Sequence, residues 1–191
     1  MDYKATPQSG KSYVHMWDVN STVCFDGGFL VDKSTLPVGL EVLPKGTFMK
    51  VDLEERTASV IKTATLFEAL TALATTVKVK KGALLIAADV IGTEAKHSVA
   101  GVINVANAEF DSFDIEANAL GVLPIGETIQ LSTADGLAIN PDGVTFCNVD
   151  IDAEPSCSVI FRADGVIPEA LPQAPTDAMI SALKFFQFLK K

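Results

Sequence analysis

The sequence predicts a mainly β protein: a small β-barrel or β-sandwich-like body with one or two short helices and an extended N-terminal arm. Three observations carry this expectation. Apolar residues fall in short runs of strand length, those runs are rich in Val, Ile, Thr and Phe, and turn signals built from Asp, Asn, Pro and Gly separate them. The expected organisation is an arm over residues 1–20, a β-rich body over 21–175 and a C-terminal helix or tail over 176–191. Within the body the pattern admits two lobes, at about 21–64 and 77–166.

The arm is polar, contains Pro7, Gly10 and Lys11, and gathers Tyr13, His15, Met16 and Trp17 near its end. Thr22–Phe25 and Phe29–Val31 read as short strands separated by the turn signal Asp26-Gly27-Gly28. Thr47–Asp52 and Thr57–Lys62 flank the polar tip Leu53–Arg56, the pattern of a hairpin. Leu66, Ala69, Leu70 and Leu73 follow helical spacing, so a short helix over 66–73 competes there with irregular structure.

Val77–Lys80 alternates strictly and ends in the turn Lys81-Gly82. Ala83–Ile91 reads as a buried strand closed by Gly92, and His97–Val105 and Phe113–Ile115 as further strands. The Gly121–Gly126 loop precedes a strand over Glu127–Leu131. Leu137–Ile139 and Val144–Phe146 are predicted to pair as a hairpin across Asn140-Pro141-Asp142-Gly143, whose residues suit a type I turn. Cys157–Arg162 is one more strand, expected to stop at Asp164-Gly165. After an extended stretch with Pro168, Pro172 and Pro175, Thr176-Asp177 can cap a helix from Ala178 to about Lys184, placing Met179, Ala182, Leu183 and Phe186 on one face. Phe185–Leu189 can instead form a final strand.

Composition narrows the function classes. The 191 residues are 48% hydrophobic and 20% charged, as in a folded globular chain. Fifteen basic against 24 acidic residues give a net charge of −9, which argues against partners held by phosphate contacts and against anionic membrane surfaces. No window approaches the ~20 apolar residues of a membrane span. Met1–Gln8 lacks a basic-then-apolar signal pattern, so synthesis and folding in a cytoplasm are expected, with the sequon Asn20-Ser21-Thr22 unmodified. The three cysteines, Cys24, Cys147 and Cys157, are expected as reduced thiols, with a Cys147–Cys157 disulfide between neighbouring strands as the minor alternative.

Candidate chemistry is sparse. Ala5–Ser12 matches a relaxed phosphate-binding loop, and Leu84–Asp89 resembles the apolar strand and acid that would complete it. Only four residues precede Ala5, however, and the alternating β and α segments of nucleotide-binding folds are missing. The histidines, His15 and His97, show no nucleophile-elbow context. Asp150, Asp152 and Glu154 would share one face of a strand, as would Asp114 and Glu116; a solvated face is the simpler reading than a cation site. Zinc-ligand spacing is absent, no cofactor is implied, and the chain is expected not to be an enzyme. The aromatic residues say more. Tyr13 and Trp17 near one end and Phe185, Phe186 and Phe188 near the other either pack onto the core or serve as anchors against a subunit or partner.

Leu43-Pro44-Lys45-Gly46-Thr47-Phe48-Met49-Lys50-Val51-Asp52, followed by Ala58–Ala64, resembles tailed-bacteriophage head-fibre and capsid-decoration proteins, which carry a similar Pro-x-Gly-Thr-x-x-Lys-Val-Asp run. Val77–Gly82 and Leu120–Gly126 resemble the middle of such chains; Val159–Val166, Leu171-Pro172 and Ala182-Leu183 resemble their end. The likeness spans roughly 36–190 and rests on the order of short segments. It implies a non-enzymatic structural protein of the virion, made in the bacterial cytoplasm and bound through the major capsid protein to the head exterior. It also implies a homo-oligomer, with a trimer favoured over a dimer or monomer, and no nucleic-acid or membrane partner. The arm around Tyr13 and Trp17 is then the expected capsid-facing element. The alternatives are a virion-displayed adhesion or carbohydrate-binding module and a small cytoplasmic enzyme.

Overall fold

Strand accounts for 40% of the computed structural model and helix for 7%, so the protein is mainly β. The structure describes residues 16–93, 96–117, 119–153 and 155–189. In chain order the strands begin with β1 (Asp18–Cys24), β2 (Phe29–Val31), β3 (Val42–Leu43), β4 (Phe48–Asp52), β5 (Thr57–Val60) and β6 (Thr63–Thr65). They continue with β7 (Thr76–Lys80), β8 (Val90–Gly92), β9 (His97–Val99), β10 (Phe110–Asp114) and β11 (Thr128–Leu131). The last are β12 (Gly143–Thr145), β13 (Val149–Asp150), β14 (Ser156–Cys157), β15 (Val159–Val166) and, after helix α1 (Asp177–Ala182), β16 (Phe186–Phe188).

An eight-stranded sheet runs in the order β1-β15-β12-β4-β5-β2-β14, with β16 parallel to β15. Two clusters of buried side chains pack against it: one joins Trp17, Phe48, Val144, Ile160, Met179, Leu183 and Phe186, the other Phe29, Leu43, Met49, Val60, Val149, Cys157 and Val159. This is the body of the molecule. The middle region carries the four-stranded sheet β6-β11-β8-β9 and the pair β10-β7, around a third cluster that includes Ala64, Leu66, Val79, Ile91, Phe113 and Ile129. Residues 17–61 and 144–186 thus build the body, and the buried clusters divide at about residues 62 and 130.

The predicted β4–β5 hairpin forms, from Met49 opposite Val60 to Asp52 opposite Thr57. Its tip closes because Asp52 Oδ1 accepts the amides of Glu54 and Glu55, each at 2.9 Å, and Arg56 takes the left-handed φ of 55°. At the other end of the chain, Thr176 caps α1: its hydroxyl accepts the Met179 amide at 3.2 Å. The alternative terminal strand also forms, as β16, so helix and strand follow one another.

Six local expectations are corrected. The 66–73 segment is not helical, because the Leu66, Phe67 and Leu70 amides are taken by the carbonyls of Glu127, Lys78 and Leu123. Ala83–Ile91 is strand only from Val90, since Leu84 and Ala88 adopt φ of 55° and 72° and break the extended path. His97–Val105 is strand only to Val99, and the Phe113–Ile115 strand lies earlier, as β10. The 137–146 hairpin does not form. Asp142 docks on β4 instead, donating its amide to Met49 O (2.9 Å) and accepting from Val51 N (3.0 Å) and Lys50 Nζ (2.8 Å). Gly143 then lets β12 pass so close to β15 that a Cβ would collide with the Ile160 carbonyl. Finally, β15 continues through Asp164-Gly165 to Val166, with Gly165 at φ 65° and an irregular register against β16 at that point.

Candidate functional site

The most apolar concavity is a groove of about 570 Å³ where the body meets the middle region. Pro37 and Val38 form one lip, Val102, Ile103 and Val105 the other, and Leu84–Ala87 the floor. The floor exists because Leu84 and Ala88 are left-handed and carry residues 83–89 across the gap as a loop. Asp89 anchors that loop: Oδ2 accepts the Ile86 amide at 2.8 Å and Lys62 Nζ at 2.7 Å. Lys62 is fully buried, and loss of hydration pulls its pKa down against the opposing pull of Asp89. On the rim, Val38, Val102 and Val105 are 106%, 82% and 64% exposed. Contiguous exposed aliphatic surface of this kind is suited to protein partners rather than to polar reactants.

A second, polar cleft of about 480 Å³ lies between β11 and the 175–178 segment. The Thr176 hydroxyl donates to Gln130 Oε1, while Gln130 Nε2 has no partner among the described residues. On the opposite side of the Pro172–Ala174 stretch, Gln173 Nε2 donates to Ala83 O at 3.2 Å. These bonds, with Thr63 Oγ1 donating to Ala174 O at 2.8 Å, tie the C-terminal segment across the middle region.

The expected interface aromatics separate. Tyr13 lies outside the described residues. Trp17 is 2% exposed, packed in the body core with Lys45 Nζ 4.5 Å from its ring centroid, so it cannot serve as an exposed anchor. The residues just after it, Asp18–Asn20, belong to β1 rather than to an arm. Phe186 is buried and Phe188 half-buried against the same core. Of the four described, Phe185 alone is exposed, at 66%, on the rim of another groove lined by Phe25 and Phe161.

The remaining candidates fall in different places. Ala5–Ser12 and His15 lie outside the described residues, and the Asp89 carboxylate is committed to Lys62 and Ile86. His97 lies over Gly136. The strand expected to align Asp150 and Asp152 ends at Asp150, whose Oδ1 accepts the Asp152 and Ala153 amides in a turn. No group of three metal-ligating side chains occurs among the described residues. Sequence reasoning missed the groove because its floor was read as a strand; the signal available was the alanine-rich 83–88 run beside Gly82.

The fold is that of a mainly β protein with an exposed apolar groove at the junction of two β regions. No protein-family model, curated protein or solved structure matches the chain.

Proposed function

We propose that this chain is a structural protein of a bacteriophage virion that binds the outer surface of the head, decorating and stabilising it. The observation that carries the reading is the collinear series of segments resembling head-fibre and decoration proteins, from Leu43–Asp52 to Val159–Val166. β4 of the first segment and β15 of the second belong to the same body sheet, on either side of β12. The groove lined by Val38, Val102 and Val105 supplies a surface for the major capsid protein, where many weak contacts add by multivalency. An adhesion module that binds glycans would need an aromatic platform, and Phe185 is the one exposed aromatic ring among the described residues.

Co-sedimentation of the full chain with heads lacking it tests the reading. Saturable binding is expected, weakened at least tenfold by Val102→Asp with Val105→Asp. Absence of binding by the unmodified chain refutes it, and binding unaffected by the pair moves the contact away from the groove. The trimer expected of such proteins would appear as a threefold mass in sedimentation equilibrium.

A further inference from the structure

The three thiols are free, and their surroundings differ. Cys24 sits half-buried on β1 opposite Ile160 and packs on the Trp17 side of the body sheet. Cys157 is buried on the other side, among Phe29, Leu43 and Val149. Cys147 is exposed, just past the end of β12.

The antiparallel pairing of β12 with β15 brings the last two toward one another. Val144 lies opposite Ile160 and Thr145 opposite Val159. The assigned ladder ends there, but the Phe146 amide still donates to the Ser158 carbonyl at 2.9 Å, and the same register carried one step further would set Cys147 opposite Cys157, at a non-hydrogen-bonded position. Directly opposed residues there have Cα atoms about 4.5 Å apart and side chains on one face. That separation falls inside the roughly 4.4–6.8 Å range of disulfides. Cys24 packs on the opposite face of the sheet, yet burial and, second, the proximity of Cys147 raise its thiol too, so Cys24 is the competing partner that the test must separate.

We propose that Cys147 and Cys157 are a thiol-modification site: a cross-strand pair that a low-molecular-weight disulfide oxidant converts into an intramolecular disulfide. The exposed Cys147 thiolate attacks one sulfur of the oxidant and expels a thiolate, leaving a mixed disulfide. Cys157 then gives up its proton and attacks the Cys147 sulfur, releasing the second small thiol. Two protein S–H bonds and the oxidant S–S bond become one protein S–S bond and two small thiols, with two electrons and two protons leaving the protein. Burial, and next the proximity of Cys147, hold Cys157 up to about 11 in the reduced form, so the exposed thiol makes the first attack. The bond would close the loop that carries β13 and so staple β12 to β14. A protein released from a reducing cytoplasm on a virion meets such oxidants; that setting rests on the proposed function, whereas the bond does not.

The test uses the reduced full chain treated with oxidised glutathione. The intact mass should fall by about 2 Da, the bond should map by digestion to Cys147–Cys157, and the thermal midpoint should rise by about 5 °C. Cys24→Ser should oxidise in the same way, and Cys147→Ser should not. A glutathione adduct that persists on Cys147, a bond to Cys24, or an unchanged mass overturns the proposal. Because no head is present, failure of head binding has no bearing on the result.

Discussion

The core of the middle region draws on one contiguous stretch, from Ala64 to Ile129, whereas the clusters of the body join residues 17–61 to residues 144–186. Two kinds of β structure follow. The body sheet pairs strands far apart in sequence, such as β1 with β15 and β4 with β12, and so bears the larger loop-closure cost. The middle region pairs strands from within one stretch of chain, from β8 with β9 to β6 with β11, but its strands are short and joined by loops that take left-handed turns at Leu84 and Ala88. The long-range sheet provides the scaffold and the short-range loops provide the exposed aliphatic groove. Binding surfaces commonly sit on loops held by a rigid frame, and this division fits that pattern.

Whether the two regions unfold together is open to direct test. Phe48 is fully buried in the body and Phe113 is 2% exposed in the middle region. Each change to Ala should cost about 3–5 kcal/mol. If the regions are one cooperative unit, both variants show a single urea transition shifted alike. If Phe113→Ala moves only one of two transitions, the regions are energetically separate. The Lys62–Asp89 pair couples them, since Lys62 follows β5 of the body and Asp89 anchors the groove floor. Asp89→Ala should destabilise by about 3 kcal/mol, because it strands a buried ammonium. A cost below about 1 kcal/mol would show that Lys62 finds water there.

A smaller effect separates the thiols by pH. The Cys157 thiol has an ordinary value of 9.0 and is held at about 11 in the folded protein. Between those values the unfolded chain has lost a proton that the folded chain keeps, so stability is complete below pH 9 and declines as pH rises through 11. The reduced protein should lose up to about 2.5 kcal/mol over that window, and Cys157→Ala should flatten the dependence. An equal slope in both proteins would place the alkaline sensitivity elsewhere. Least of all, Thr176→Ala should cost about 1 kcal/mol by removing the α1 cap and the bond to Gln130, measured as a shift in urea midpoint.

Much of this architecture was legible from local pattern. The β4–β5 hairpin announced itself because its apolar runs, polar tip and Asp52 turn lie within thirteen residues of each other, and the Thr176 cap because it needs only the next turn of chain. Leu66–Leu73 carried helical spacing, yet its amides found carbonyls on β7 and on the loop before β11, and those bonds outweighed a weak local preference. Asn140–Gly143 carried turn chemistry, yet the Asp142 carboxylate bonded to β4 and Gly143 served close packing against Ile160. Of the expected site residues, Trp17 and Phe186 obeyed burial and Phe185 did not, a distinction no periodicity contains.

The sequence by itself determined the strand-rich class, the net acidic charge and local features such as the Asp52–Arg56 turn and the Thr176 cap, because each depends on residue type and near neighbours. Tertiary structure alone decided which strands pair, that residues 17–61 and 144–186 share their cores, and that Cys24 and Cys157 pack in different clusters of the body. Those choices belong to long-range register, where the free energy is gained between segments more than a hundred residues apart and leaves no trace in any local window.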